Sequence, residues 1–143
     1  MATMTLGAFA MRLAAGAISL KLHEHEMIEE AAVFLEKEAK AVLGTYDYGW
    51  PQLQPATIAR KANGNTPLIE TGTLRDSIEH NSTYDPLEAY VGTNDPIGMY
   101  QEFGTSRGIP PRSFIEATLT HHGQDVADMI SHRIAGVFEW TVI

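Results

Sequence analysis

The six histidines are the first residues to weigh for chemistry, because imidazole binds metals and moves protons near neutral pH. His23-Glu24-His25-Glu26 sets two of them among carboxylates. A zinc-binding helix needs two histidines four residues apart, on one face. Here the spacing is two, which turns the rings about 200° apart on a helix, and Met27 stands where the second ligand belongs. His25 meets Glu29 at i+4, but two ligands do not complete a zinc site. His121 and His122 are adjacent and diverge, and His132 lies too far along to join them. The spacing favours solvated helix positions over a metal site, and no cofactor is expected.

Nucleophilic chemistry has less support. There is no cysteine and no Gly-x-Ser-x-Gly elbow. Ser113, three residues before Glu116, reads as a helix cap. Glu29-Glu30, Asp125 and Asp128 fall on the outer faces of expected helices. Gly104–Gly108 has two glycines but no Gly-Lys-Ser/Thr phosphate loop. No enzymatic activity is expected from these residues.

The elements that would position these side chains form an α+β order. Met27, Ile28, Ala31, Phe34, Leu35 and Val42 recur at helical spacing and predict a helix over 24–43, with Gly44 at its C′ end. Leu6–Leu22 is apolar but lacks a basic leader and holds Arg12 inside, so it reads as a short amphipathic lead-in at the surface or at an interface rather than a signal or a membrane span. Residues 44–69 form a long connection rich in Gly, Pro and Asn, with a short helix at Ala56–Lys61 after Pro55. Ile78–Thr83, Leu87–Thr93 and Ile97–Phe103 read as a small antiparallel meander, broken at Asp85-Pro86 and Asn94-Asp95-Pro96. A capping box, Ser113-x-x-Glu116, starts a second long helix near Arg112, and Val137–Ile143 reads as a last strand. The expectation is one domain over 1–143, with 1–22 as the lead-in and two main helices packed on a small sheet.

The 143 residues suffice for a core without disulfides or metal. Ten Lys and Arg against 18 Asp and Glu give a net charge of -8, which argues against a free-standing nucleic-acid binder. Arg75, Arg107 and Arg112 are three of only ten basic residues. Bidentate pairing with carboxylates across a subunit boundary is a reasonable use for them.

The remaining motifs lie in polar loops. They are Gly49-Trp50-Pro51-Gln52-Leu53-Gln54-Pro55-Ala56-Thr57-Ile58-Ala59-Arg60-Lys61 and Leu68-Ile69-Glu70-Thr71-Gly72-Thr73-Leu74-Arg75-Asp76-Ser77-Ile78. Val91-Gly92-Thr93-Asn94, Tyr100-Gln101-Glu102-Phe103-Gly104-Thr105 and Ile109-Pro110-Pro111-Arg112-Ser113-Phe114-Ile115 follow. In this order and spacing, over about residues 25–135, the chain resembles tailed-phage neck and tail-completion proteins. That group is typified by the HK97 gp10-like tail components and the phage virion morphogenesis proteins.

The resemblance implies a tail-terminator-like fold and a structural role in the virion, joining head to tail or completing the tail. It implies a homo-oligomeric ring, commonly six-fold, assembled in the host cytoplasm and contacting neighbouring neck and tail-tube proteins. Genomic DNA would pass through without specific binding, and no membrane is involved. The assembly residues expected on this reading are Thr71, Gly72, Arg75, Glu102, Phe103, Gly104, Pro110, Pro111 and Arg112, with Glu102 and Arg112 as a charged contact between subunits. A tail terminator or a stopper ring of the same neck is the alternative. Readings from other classes are a metal-dependent enzyme using His23, His25, His121 and His122, and an interaction module unrelated to phage.

Overall fold

The computed structural model describes residues 4–138. Its spine is α1 (Leu6–Val42), a single helix of 37 residues. The Thr5 hydroxyl caps its start by accepting from the Ala8 amide. The lead-in at Leu6–Leu22 is therefore the first half of α1, not a separate segment. Nothing between residues 6 and 42 breaks the helix: there is no proline, and alanine and leucine offset the cost of Gly7 and Gly16. The expected stripe is present, with Met27, Ala31 and Val42 buried. Gly44, with a φ of 90°, ends the helix and donates its amide to the Pro67 carbonyl at 2.8 Å.

The long connection is packed rather than loose. It contains α2 (Pro55–Arg60), started by Pro55 as its position predicts. Trp50 is buried, and its indole N–H donates to the Ser113 carbonyl at 2.9 Å. Tyr48 shares a hydrogen bond with Thr118, and Tyr46 donates to Asn65. Aromatic rings with satisfied polar tips thus pin the loop onto the core formed by Ala39, Val42, Leu43, Leu74, Ile78 and Phe114. One further turn, α3 (Thr73–Asp76), follows Gly72, whose φ of 87° supplies the left-handed step before it.

The sheet is a hairpin of β1 (Ile78–Tyr84) and β2 (Leu87–Thr93), paired antiparallel from Ile78↔Thr93 to Tyr84↔Leu87. The expected third strand at Ile97–Phe103 is instead α4 (Pro96–Phe103). The Asp95 side chain accepts from the Ile97 amide, and Pro96 occupies the first helical turn. That N-terminal chemistry outweighs the weak alternation of Gly98 and Tyr100. Gly98 is buried in α4, where a Cβ would lie 2.4 Å from Thr93 and 3.3 Å from Leu74.

The second long helix is α5 (Ile115–Val137). It runs antiparallel along α1: His122 meets Glu38 and Phe34, and Arg133 reaches Glu26 and Glu30. Near its end Phe138 closes over Gly16. α1 is the common partner, packed against α5 and both strands. The expected strand at Val137–Ile143 begins as the helix end at Val137; residues 139–143 lie outside the described part.

Candidate assembly surface

α4 is a wall with a recess on each side. On one side, a cleft of about 870 Å³ is lined by the long connection, α3 and the loop after α4. It gathers Thr71, Gly72, Pro110 and Arg112 around Leu53 and Gln101. On the other side, a groove of about 850 Å³ runs between α1, β2, α4 and the start of α5. Glu102 and Phe103 border it, its floor includes Ala31, Ala32 and Gly98, and most of its lining is apolar.

The expected assembly residues divide by what they do in the fold. Glu102 caps α5. Its carboxylate accepts from the Ser113 hydroxyl at 2.7 Å and from the amides of Phe114, Ile115 and Glu116 at 2.8, 3.0 and 3.0 Å. Burial opposes its ionisation. The Ile115 amide, the Ser113 hydroxyl and the Glu116 and Phe114 amides together outweigh burial and hold the carboxyl below the ordinary range. The expected capping box is thus replaced: the carboxylate comes from α4, eleven residues before Ser113, rather than from Glu116.

Arg112 is buried. Its guanidinium donates through Nε and Nη2 to the Pro51 carbonyl at 3.3 and 3.0 Å, and its amide donates to Gln101 at 2.7 Å. Neither Glu102 nor Arg112 is presented as an open charge. Substituting Arg112→Glu would set a carboxylate against a carbonyl in a buried position, so it reads out folding before it reads out assembly. Gly104 has a φ of 72°, and a Cβ there would meet the Ile109 carbonyl oxygen at 2.8 Å and Pro111 at 3.0 Å. Gly104 and Pro111 together shape the loop that carries Pro110 to the cleft.

Five of the expected residues face solvent: Thr71, Arg75, Phe103, Pro110 and Pro111. Arg75 pairs with its neighbour Asp76 at 3.0 Å. The Thr71 and Thr73 hydroxyls share a hydrogen bond of 2.7 Å beside Gly72. Phe103, at the end of α4, is 73% exposed.

Larger apolar surfaces lie outside these residues; the one on α1 falls on the expected lead-in, and those on α4 and α5 went unpredicted. α4 exposes Ile97, Met99 and Tyr100 beside Phe103, and α5 exposes Leu119. On α1 every residue from 6 to 15 is exposed, and Leu6, Met11, Ile18 and Leu22 are 83%, 75%, 64% and 74% accessible. Apolar side chains exposed at this density are typical of interaction surfaces in general. A sequence signal existed: residues 1–23 carry Arg12 and Lys21 and no acid, within a chain of net charge -8.

The histidines are dispersed. His23 bonds the Ser19 carbonyl, His25 stacks on Tyr84, His121 stacks on Tyr48 and His122 pairs with Asp125. Among the described residues, no group of three or more His, Asp or Glu is arranged to hold a metal ion. Nor is any described helix long and apolar enough to cross a membrane.

No family model and no solved structure matches the chain. A similarity to a phage-derived protein does exist. The chain is 37% identical over 83 residues to the Mu-like prophage FluMu G protein 2 of Haemophilus influenzae. The aligned stretch is 54% of this chain and 56% of that protein, so the chain spans about half the length of the curated relative it matches.

Proposed function

We propose that the chain is a structural, non-enzymatic subunit of a phage particle, forming a ring where the head meets the tail. The observation that carries this reading is the similarity to a Mu-like prophage protein. The exposed apolar faces of α1, α4 and α5 support it, because a ring needs two complementary surfaces on every subunit. The partners are further copies of the chain, commonly six in all, with neck and tail-tube proteins above and below. The ring assembles in the host cytoplasm and resides in the virion.

Its charge suits a conduit. A wall with a net negative subunit charge offers DNA no dense basic surface to release counterions from, so the genome slides without being held. A terminator or stopper position in the same stack is the alternative within this reading.

Electron microscopy of particles made without this protein tests it. Filled heads beside separate tails establish a joining role, restored when the protein is supplied. Tails of uncontrolled length assign the terminator position. Normal infectious particles refute a role in the virion.

A further inference from the structure

The first half of α1 and the apolar groove are suited to each other but belong to different copies. We propose that the arm formed by residues 6–22 of one subunit seats its Met11, Ala15, Ile18 and Leu22 stripe in the groove between β2, α4 and α5 of the next. This rests on the ring reading above and names the contact that would close the ring.

Three observations carry it. The first is the stripe itself. Met11, Ala15, Ile18 and Leu22 follow spacings of four, three and four, which place them on one side of a helix. All four are exposed, while Gly16, on a different side, is covered by the chain's own Phe138. Among the described residues, the stripe therefore stays open to solvent.

The second is geometry. The groove floor includes Ile28, Ala31, Ala32 and Ala39, which belong to the same unbroken helix as the arm. The arm leads away from that floor for about 25 Å at the rise of an α-helix, so it cannot fold back into its own groove. The floor alanines and Gly98 are covered by their own chain, and the accessible lining is Ala89, Met99, Phe103 and Leu119, the apolar border that a helix-in-groove contact uses. Two different surfaces meet at each contact, so the association is heterologous, and it closes into a ring where the rotation permits.

The third is charge. Residues 1–23 carry two basic groups and no acid, so the rest of the chain holds eight Lys and Arg against 18 acids, a net of -10. Glu88 and Glu116 stand exposed at the edge of the groove. Lys21 pairs with Glu24 of its own helix, yet the arm itself holds no acid, so it meets the acidic-rimmed, apolar groove without the like-charge repulsion that a second groove would bring.

The test uses two variants of the full chain at exposed positions. One carries Met11→Glu and Ile18→Glu in the arm; the other carries Met99→Glu and Leu119→Glu in the groove. Circular dichroism melts establish that both fold. Solution masses are then measured by sedimentation over a wide concentration range. Wild-type protein is expected to associate, and each variant alone to stay monomeric. An equimolar mixture is expected to give a heterodimer and nothing larger, because one intact arm and one intact groove remain. Because the chain has no cysteine, a copy with Ile18→Cys and Leu119→Cys should form intermolecular disulfides on oxidation, whereas Ile18→Cys alone should not.

Variants that associate like wild type overturn the inference. So do variants that are each monomeric and stay monomeric when mixed, or cross-linking by Ile18→Cys alone, which would mean arm-to-arm pairing. Wild-type protein that neither associates nor cross-links, including one that binds anionic phospholipid vesicles through the arm instead, also overturns it. Particles that assemble normally with the arm variant, alongside a heterodimer in the mixture, would refute the head–tail role and leave the contact standing.

Discussion

At the scale of single residues, the loop motifs owe their character to folding. Glu102 illustrates this, since one carboxylate meets the needs of three amides at the N-terminus of α5 and of the Ser113 hydroxyl. Replacing Glu102 by Gln removes the charge and one acceptor oxygen, and is expected to cost about 1–3 kcal/mol near neutral pH. The pH dependence has a definite sign. A carboxyl held low in the folded state contributes stability above its unfolded pKa and loses it as the pH falls through the folded value. Urea unfolding of wild type and Glu102→Gln should therefore differ most near neutrality and converge in acid. A difference that persisted unchanged at low pH would exclude the ionised cap.

Sequence alone shows that Ser113 begins a helix, but not that the partner carboxylate arrives from Glu102. The two are eleven residues apart across a Gly-Pro loop, and capping rules reach only one turn. Arg112 was illegible for a related reason. An arginine in a loop reads as a surface cation, and only the folded chain brings the Pro51 carbonyl beneath it.

At the scale of elements, α1 and the hairpin are joined by a polar network. His80 on β1 faces Glu36 through Nδ1 and Glu29 through Nε2, the latter at 3.0 Å. Ser82 bonds Glu29 and His25, and Lys40 pairs with Glu36. Both ring nitrogens of His80 meet carboxylates, an arrangement that only the imidazolium satisfies fully. Hydrogen bonds to Glu36 and then Glu29 accordingly raise the His80 pKa; the Ser82 hydroxyl and then His80 lower that of Glu29, and His80 and then Lys40 lower that of Glu36.

The signs are opposite for the two partners. The histidine's share of stability is complete below its unfolded pKa and fades as the pH rises through the raised folded value; the carboxylates' share fades in acid. His80→Gln should thus lower the melting temperature near pH 6 and matter progressively less as the pH rises through the raised folded value. An undiminished effect at the alkaline end would contradict a charged His80.

The hairpin strands were legible because Asp85-Pro86 separates two short β-prone runs, and β2 matches its expected span at both ends. Glu29 was expected as a solvated helix charge, because nothing local shows that β1 lies over it. At Ile97–Phe103, short apolar runs fit either period, and the deciding signal was the Asp95-Pro96 start rather than the pattern inside.

At the scale of the whole molecule, the subunit is a long rod with its packed body at one end. The body spans the second half of α1, and the first half meets α5 at Gly16 and Phe138. A Cβ on Gly16 would come within 2.2 Å of the Phe138 ring. Gly16→Leu should displace that ring and cost about 1–2 kcal/mol, even though leucine is the better helix former by nearly 1 kcal/mol. Hydrogen exchange would locate the effect in the last turns of α5; protection there equal to wild type would show that the ring is not what secures them.

The continuity of α1 has a mechanical consequence. One stiff rod carries both the surface that reaches out and the floor that receives, so length and angular phase act as a gauge. A single residue inserted near His23 would swing everything before it by about 100° while advancing it only about 1.5 Å. Seven inserted residues would nearly restore the phase and lengthen the rod by about 10 Å. In the ring proposed above, the spacing between neighbouring subunits would thereby be written into the count of residues in one helix, and whole heptads would retune its bore far more readily than single steps.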